Sequence, residues 1–428
     1  MRFIKDSLWR WVEEQKIGGG FMKSITGGVT AAKGFMAACA EANIKYKDRT
    51  DMALVYSEVP AKVAGVFTTN VVKAAPVKWG IQIVKNNEEA QAVVLNSGIA
   101  NACTSKEGEE ANEAMAKAVA ESLDIPTNYV LTASTGVIGV QLPVDKIVNG
   151  AKILGSKLEG TLEAGLNAAK AIMTTDTYPK EAAVQFEVGG KLVTIGAMSK
   201  GSGMIHPNMA TMLSVITTDL AISKPLLQEA LSTIVKDSFN MISVDRDTST
   251  NDTCVVLANG LAGNETITEK NADYDQFVEA LSCVAKTLAK NMAKDGEGAT
   301  KLIESTVINA ASKEDAVVLA KSVITSSLVK TAVFGSDANW GRILCALGYS
   351  GITFDPEKVE LSIEGKSGKV KLYENGKGTD FSEELATKIL SDEEVTITTD
   401  MKQGNNRATA WGCDLTYDYV KINGDYRS

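Results

Sequence analysis

A chain of 428 residues is long enough for two or three domains or one large two-part fold, with a core that needs no disulfide or metal staple. Its 44% apolar content is that of an ordinary globular protein, and its net charge of −9 argues against nucleic acid or an anionic membrane as the main partner. Small charged metabolites remain. The nearest two of the six cysteines, Cys254 and Cys283, are 29 positions apart and His206 is the sole histidine, so a zinc knuckle, a CxxC redox pair or a nitrogen/sulfur metal site is not expected. Scattered cysteines suit a reducing cytosol, and a cytoplasmic protein without a metal or other cofactor is expected.

Residues 1–21 have no long apolar run, which excludes a secretory signal or membrane span there. The glycines before Met22 would be encoded by codons resembling a bacterial ribosome-binding site. Translation is therefore expected to begin at Met22, with residues 1–21 an upstream extension or a short arm.

From Met22 onward strands and helices mix. MALVYS, KVAGVFTT, AQAVVLNSG and YVLTAST read as strands, and Glu109 to Leu123 as a helix ahead of Pro126. SVITTDLAI reads as another strand, and Lys224 to Phe239 as a helix with Pro225 in its first turn. Phe277, Leu281, Val284, Leu288 and Met292 recur at helical spacing, marking a buried stripe. KVELSIEG and KVKLYENG follow as strands, then a helix near Ser382 to Leu390. EVTITTDM and ATAWGCDLTYDYVKIN flank KQGNNR and predict a closing antiparallel hairpin, with LTYDYVKIN alternating like a strand. No solenoid repeat or low-complexity linker is visible, so the expected fold is one compact mixed α/β assembly with antiparallel character, not a doubly wound one.

Phosphate-loop readings fail. GKSGK at Gly365 to Lys369 has Glu360 where the motif needs glycine, and GEGATK at Gly296 to Lys301 reads as a loop before a helix, with a helix-capping turn its favoured role. SVDRDTSTND, Ser243 to Asp252, could bind a divalent ion, but its hydroxyls favour a hydrogen-bonded turn.

The segment KGSGMIHPNMATMLSVITTD, Lys200 to Asp219, concentrates glycines, hydroxyls and His206. A hydroxyl nucleophile ordinarily needs a base, most often histidine. A backbone cut just before Thr211 would supply one without histidine, because the freed α-amine, with a reference pKa of roughly 7.7 to 8, can take that residue's hydroxyl proton. Small Ala210 leaves the scissile carbonyl open to an N-to-O acyl shift. On the residues alone, a plain loop entering a strand is the other reading.

The same segment, with GGVTAAKGF, NSGIANACT, STGVIGVQLP, AIMTTDTYPK, FNMISVDRDTSTNDT, GSDANWGRIL and KINGDYRS, closely resembles the ArgJ family of ornithine acetyltransferases from about Met22 to Ser428. The resemblance implies a self-processing, N-terminal-nucleophile-like αββα sandwich of the ArgJ/DmpA kind, with largely antiparallel or mixed sheets. It divides the chain into an α fragment, 22–210, and a β fragment, 211–428, associated as α2β2. It makes Thr211 the self-cleaving residue and nucleophile, Thr135 and Gly136 the oxyanion hole, and Thr174, Lys200, Thr211, Glu297, Asn423 and Ser428 the substrate contacts. Lys200 would face a carboxylate and Glu297 an ammonium. The implied reaction is a ping-pong acetyl transfer from N2-acetyl-L-ornithine to L-glutamate, a glutamate N-acetyltransferase activity. No coenzyme A motif is legible, so acetyl-CoA enters only as a second donor the family allows, and N-acetylornithine alone is the favoured expectation. Two residues depart from the family pattern: Ile99 stands where a polar residue is expected, and Ser428 where threonine is common. A related amidohydrolase or aminopeptidase, passing the acyl group to water, is the alternative enzyme, and an uncleaved binding protein the non-enzymatic one.

Overall fold

The computed structural model describes residues 15–17, 20–206 and 212–426. Thr211, Ala210 and Ser428, and with them the expected cut, lie outside the described residues.

Ten strands form one sheet, in the order Gln15–Ile17, Gly20–Ile25, Lys180–Val188, Lys191–Lys200, Leu213–Thr218, Thr253–Ala258, Met52–Phe67, Glu89–Asn96 and Val130–Ser134, with Phe35–Ala40 pairing on Met52–Phe67. Pairing is antiparallel except for Leu213–Thr218 on Thr253–Ala258 and Glu89–Asn96 on Val130–Ser134. MALVYS and KVAGVFTT are therefore one strand of 16 residues. Its register on Glu89–Asn96 shifts between Tyr56 and Ala61, and such an irregularity lets a long strand bend.

Side-chain alternation shows how the sheet folds across that strand, because successive residues must face opposite sides. Ala53, Val55, Val93 and Leu95 share a buried cluster with Leu213, Val215, Val255 and Leu257 from the strands beyond the bend. Their neighbours Met52, Leu54, Ala92 and Val94 face outward onto helices Ser105–Leu123 and Val144–Ser156. On the opposite outer face Ile195, Ile216, Cys254 and Val256 pack on helices Lys224–Lys236 and Ala272–Lys294. Helix, sheet, sheet, helix is the expected αββα sandwich.

A second sheet of seven strands runs in the order Ile242–Ser243, Asn406–Cys413, Leu302–Ala310, Glu394–Asp400, Glu360–Gly365, Gly368–Glu374 and Lys377–Gly378. Its core residues Ile303, Val307, Ile397 and Ala410 join the cluster built on Ala272–Lys294. The predicted closing hairpin is overturned here. Leu302–Ala310 lies between the two strands, parallel to Glu394–Asp400 and antiparallel to Asn406–Cys413. The predicted terminal strand is also overturned: Tyr417–Gly424 is a helix, started by the Thr416 hydroxyl accepting from Tyr419 N–H. GEGATK does not precede a helix either; it links helix Ala272–Lys294 to strand Leu302–Ala310.

Candidate active site

A cavity of about 290 Å³ opens among the loops that follow strands Val130–Ser134 and Lys191–Lys200, the turn before Thr253–Ala258, the turn after helix Ala272–Lys294 and the C-terminal helix. Thr135, Gly136, Thr174, Lys200, Glu297 and Asn423 all line it, brought together from positions far apart in sequence. His206 does not line it.

Thr135 and Gly136 leave the buried end of strand Val130–Ser134. Thr135 N–H donates to Asn96 O at 3.0 Å, and Val137 N–H donates to Gly98 O at 3.1 Å, so the turn lies against Gly98 to Ala100. Gly136 has φ +128°, and a Cβ there would stand 2.2 Å from the Gly98 carbonyl carbon, so both the dihedral and the contact require glycine. Buried Asn96 ties the turn from below, accepting from Ser134 Oγ at 2.6 Å and donating to Ile99 O at 2.9 Å. The side chain of Ile99 itself fills the adjoining core, which accounts for an apolar residue at that position.

Lys200 ends strand Lys191–Lys200 and is only 7% exposed. Its ammonium donates to Thr174 Oγ1 at 2.9 Å and to Thr135 Oγ1 at 3.4 Å, and lies 3.8 Å from Asp176 Oδ2. Asp176 also accepts from Gly201 N–H at 2.7 Å, Thr174 N–H at 3.1 Å and buried Lys180 at 2.8 Å. Lys180 reaches Asp295 at 2.5 Å. Burial works against ionisation of Asp176, but the charges of Lys200 and Lys180 overcome it and hold the carboxyl well below the usual range. Two cations and two carboxylates thus alternate as a buried, neutral ladder under the cavity. Asp176 and Lys180 were not singled out in the sequence; they lie four positions apart on a non-helical run, where that spacing carries no signal.

Glu297 faces the cavity from the turn after Ala272–Lys294. Its N–H donates to Ser202 O at 2.8 Å, and its Oε2 accepts from Asn423 Nδ2 at 2.7 Å. Gly203 makes room for it, since a Cβ there would fall 2.2 Å from Glu297 Cδ. Next to it, Gly298 (φ +69°) lets the C-terminal helix approach, because a Cβ would meet Tyr419 N at 2.7 Å.

Asn251 and Asp252 also line the cavity, from the cluster read in sequence as a hydrogen-bonded turn. Asn251 donates to Ala100 O at 2.6 Å and to Ser134 O at 2.9 Å, fastening the Thr135 turn to this segment. Asp252 is 1% exposed and its Oδ2 has no partner. Burial raises its carboxyl well above the ordinary value of 3.8, against hydrogen bonds from Ser249, Met212 and Thr68 and the charge of Lys200. Asp245 of the same cluster does close a turn, accepting from Met204 and Ile205 N–H at 2.6 and 2.9 Å. Among the described residues no group of three histidine, cysteine or acidic side chains is placed to hold a metal ion, and no single helix is long and apolar enough to cross a membrane.

The model of the ArgJ family matches residues 36–428. The chain belongs to the ArgJ family. The arginine biosynthesis bifunctional protein ArgJ of Caldanaerobacter subterraneus is 52% identical over 407 residues, covering 95% of this chain and all of that one. ArgJ 1 of Clostridium acetobutylicum is 54% identical over 400 residues, covering 94% and 97%. Among solved structures, ArgJ from Bacillus halodurans is 48% identical and aligns 97% of its chain to 49% of this one, with a TM-score of 0.47. The ornithine acetyltransferase of Mycobacterium tuberculosis, complexed with ornithine, is 42% identical and aligns its whole chain to 44% of this one, with a TM-score of 0.42.

Proposed function

We propose that this ArgJ-family chain is an ornithine acetyltransferase that moves acetyl from N2-acetyl-L-ornithine to L-glutamate through an acetyl ester on Thr211. The single observation that carries the reading is the convergence of Thr135, Gly136, Thr174, Lys200, Glu297 and Asn423 on one cavity that opens beside Met212, the residue following Thr211. Family membership and the relatives' names supply the substrates.

In this reading the chain cuts itself at Ala210–Thr211, and the new α-amine becomes the base for the Thr211 hydroxyl. Oγ1 attacks the acetamide carbonyl; the Thr135 hydroxyl and Gly136 N–H stabilise the oxyanion. The C–N bond then breaks and the proton held by the α-amine passes to the departing ornithine nitrogen. Glutamate's amine attacks the ester in the reverse sequence, regenerating Thr211. Glu297 receives the substrate's distal ammonium, and Lys200, the one cation among the described lining residues, faces the carboxylate side. Asn423 and Ser428 complete the contacts. Acetyl-CoA is a second donor only by the relatives' bifunctional names.

The fragments 22–210 and 211–428 stay together because strand Leu213–Thr218 is bonded on one side to Lys191–Lys200 from the first and on the other to Thr253–Ala258 from the second. Their association as α2β2 and a cytoplasmic location belong to the same proposal. Purified protein tests it in two measurements: intact mass spectrometry for the cut, and product analysis with N-acetylornithine in the presence and absence of glutamate. Acetate formed at the same rate without glutamate would make the chain an amidohydrolase instead.

A further inference from the structure

An ammonium has three N–H donors and no lone pair, so every hydroxyl it touches must accept from it. The Lys200 ammonium touches two, Thr174 Oγ1 at 2.9 Å and Thr135 Oγ1 at 3.4 Å. A threonine hydroxyl that accepts from a fixed donor has its own O–H left for a different acceptor. Thr135 lines the cavity, so that O–H is available to an oxygen bound there.

Without this constraint the Thr135 hydroxyl would be a free rotor, able to accept as readily as donate. An oxyanion hole needs only donors, already aimed. The ammonium's position is fixed from behind by Asp176, itself held by Gly201 and Thr174 N–H and by Lys180, which is anchored on Asp295. All four charged side chains are almost wholly buried. A surface cation attracting a carboxylate would need none of this support.

We propose that Lys200 is a positioning residue for catalysis: it fixes the direction in which the Thr135 hydroxyl donates, in addition to any attraction it exerts on the substrate's carboxylate. The proposal rests on the reading of Thr135 as an oxyanion-hole donor. It makes Lys200 and Thr135 one functional unit, whereas a carboxylate anchor and an oxyanion donor would act independently.

The test is a double-mutant cycle with Lys200→Met and Thr135→Val, measured as kcat and KM for N-acetylornithine. Thr135→Val should lower kcat on the order of 10²–10³, the usual loss for one such donor. Lys200→Met should lower kcat on the order of tenfold or more in the wild-type background, and by less than about threefold once Thr135 is valine. Losses that multiply in full, or a Lys200→Met effect confined to KM, overturn the proposal. N-acetylputrescine, the substrate without its carboxylate, gives a second arm. Equal fold-losses on both substrates support the proposal, and an undiminished rate on the analogue sinks it. Where Lys200→Met does not fold, Lys200→Gln is read by the same criteria, because its amide can accept as well as donate. Wild-type protein that transfers no acetyl would remove the functional reading itself; an active wild type with independent losses removes only the role assigned to Lys200.

Discussion

The side-chain amide of Asn423 donates to Glu297 Oε2 at 2.7 Å, joining the C-terminal helix to a turn 126 positions earlier. Glu297 is 7% exposed, so this hydrogen bond to a buried carboxylate holds it in place where solvent cannot. Asn423→Ala should lower kcat/KM for acetyl transfer by about 10- to 100-fold, the equivalent of one hydrogen bond to a charged group. A chain ending at Ile422 should lose most transfer while still self-cleaving, as read by product analysis beside a denaturing gel. Full turnover in the truncated chain would remove the tail from the site.

That tail also shows where the sequence misled. LTYDYVKIN alternates as a strand would through Leu415, Tyr417 and Tyr419, but Tyr417 is 84% exposed while Tyr419 packs against the core, and Val420 is 69% exposed on the same helix. The alternation recorded no single buried face. The Thr416 cap, with Asp418 in the first turn, was the local signal for a helix. The false hairpin has a different cause: strand patterning tells which residues face the core but not which strand lies alongside, and Leu302–Ala310 enters between two runs that are adjacent in sequence. The sandwich was legible in part: Glu89–Asn96, Val130–Ser134 and Leu213–Thr218 are short runs with polar or glycine ends. Phe35–Ala40, Lys180–Val188, Lys191–Lys200 and Thr253–Ala258 were not read as strands, and the expected form came with the resemblance. The cavity residues Thr135, Thr174, Lys200, Glu297 and Asn423 came with the resemblance; the residues alone singled out only the segment Lys200 to Asp219, and read the loop of Glu297 as a capping turn. Their supports Asp176, Lys180 and Asn251 were not legible, because burying a charge or an amide leaves no pattern in one dimension.

Thr211→Ala should yield one full-length chain and no acetyl transfer. The wild-type protein should resolve into fragments of 210 and 218 residues, counted from Met1. Intact mass spectrometry decides. A mutant still split at the same bond would show that another residue or a protease makes the cut.

His206 donates to or accepts from Ser243 Oγ through Nδ1 at 3.1 Å, away from the cavity. Burial, with the charges of Lys321 and Arg246, lowers its pKa from 6.5 to about 4. A depressed folded-state pKa gives stability that is present above 6.5 and lost as pH falls through about 4. His206→Asn should therefore flatten the fall of Tm across that window while leaving the acidic limb of the rate profile, assigned to the α-amine in the proposed mechanism, largely in place. Loss of that limb together with most of the rate would return histidine to the mechanism.

Gly136→Ala should be far worse than an ordinary glycine replacement. The added methyl would stand 2.2 Å from the Gly98 carbonyl carbon at a φ of +128°, so the turn carrying Thr135 must move. A fall in kcat on the order of 10²-fold or more, with KM changed much less, is the expected signature of a displaced oxyanion donor. Steady-state kinetics near wild type would mean that Gly136 N–H does not contact the reacting oxygen.

Asp252 carries the clearest prediction about stability and pH. Its carboxyl is fully buried, with Oδ2 unpartnered, and burial raises its pKa well above 3.8 despite the nearby Lys200 charge and the hydrogen bonds from Ser249, Met212 and Thr68. A raised folded-state pKa means that the folded chain holds a proton the unfolded chain releases. The resulting stability is complete below 3.8 and is lost as pH rises through the folded-state value. Asp252→Asn removes the titration while keeping the shape. Its Tm should therefore gain on the wild type as pH rises from about 4 through the folded-state value, whichever protein is the more stable at the acid end. Parallel thermal melts across that range measure the difference directly. A difference that stays constant would show that Asp252 ionises alike in the folded and unfolded chains, and that a partner absent from its present surroundings stabilises the carboxylate.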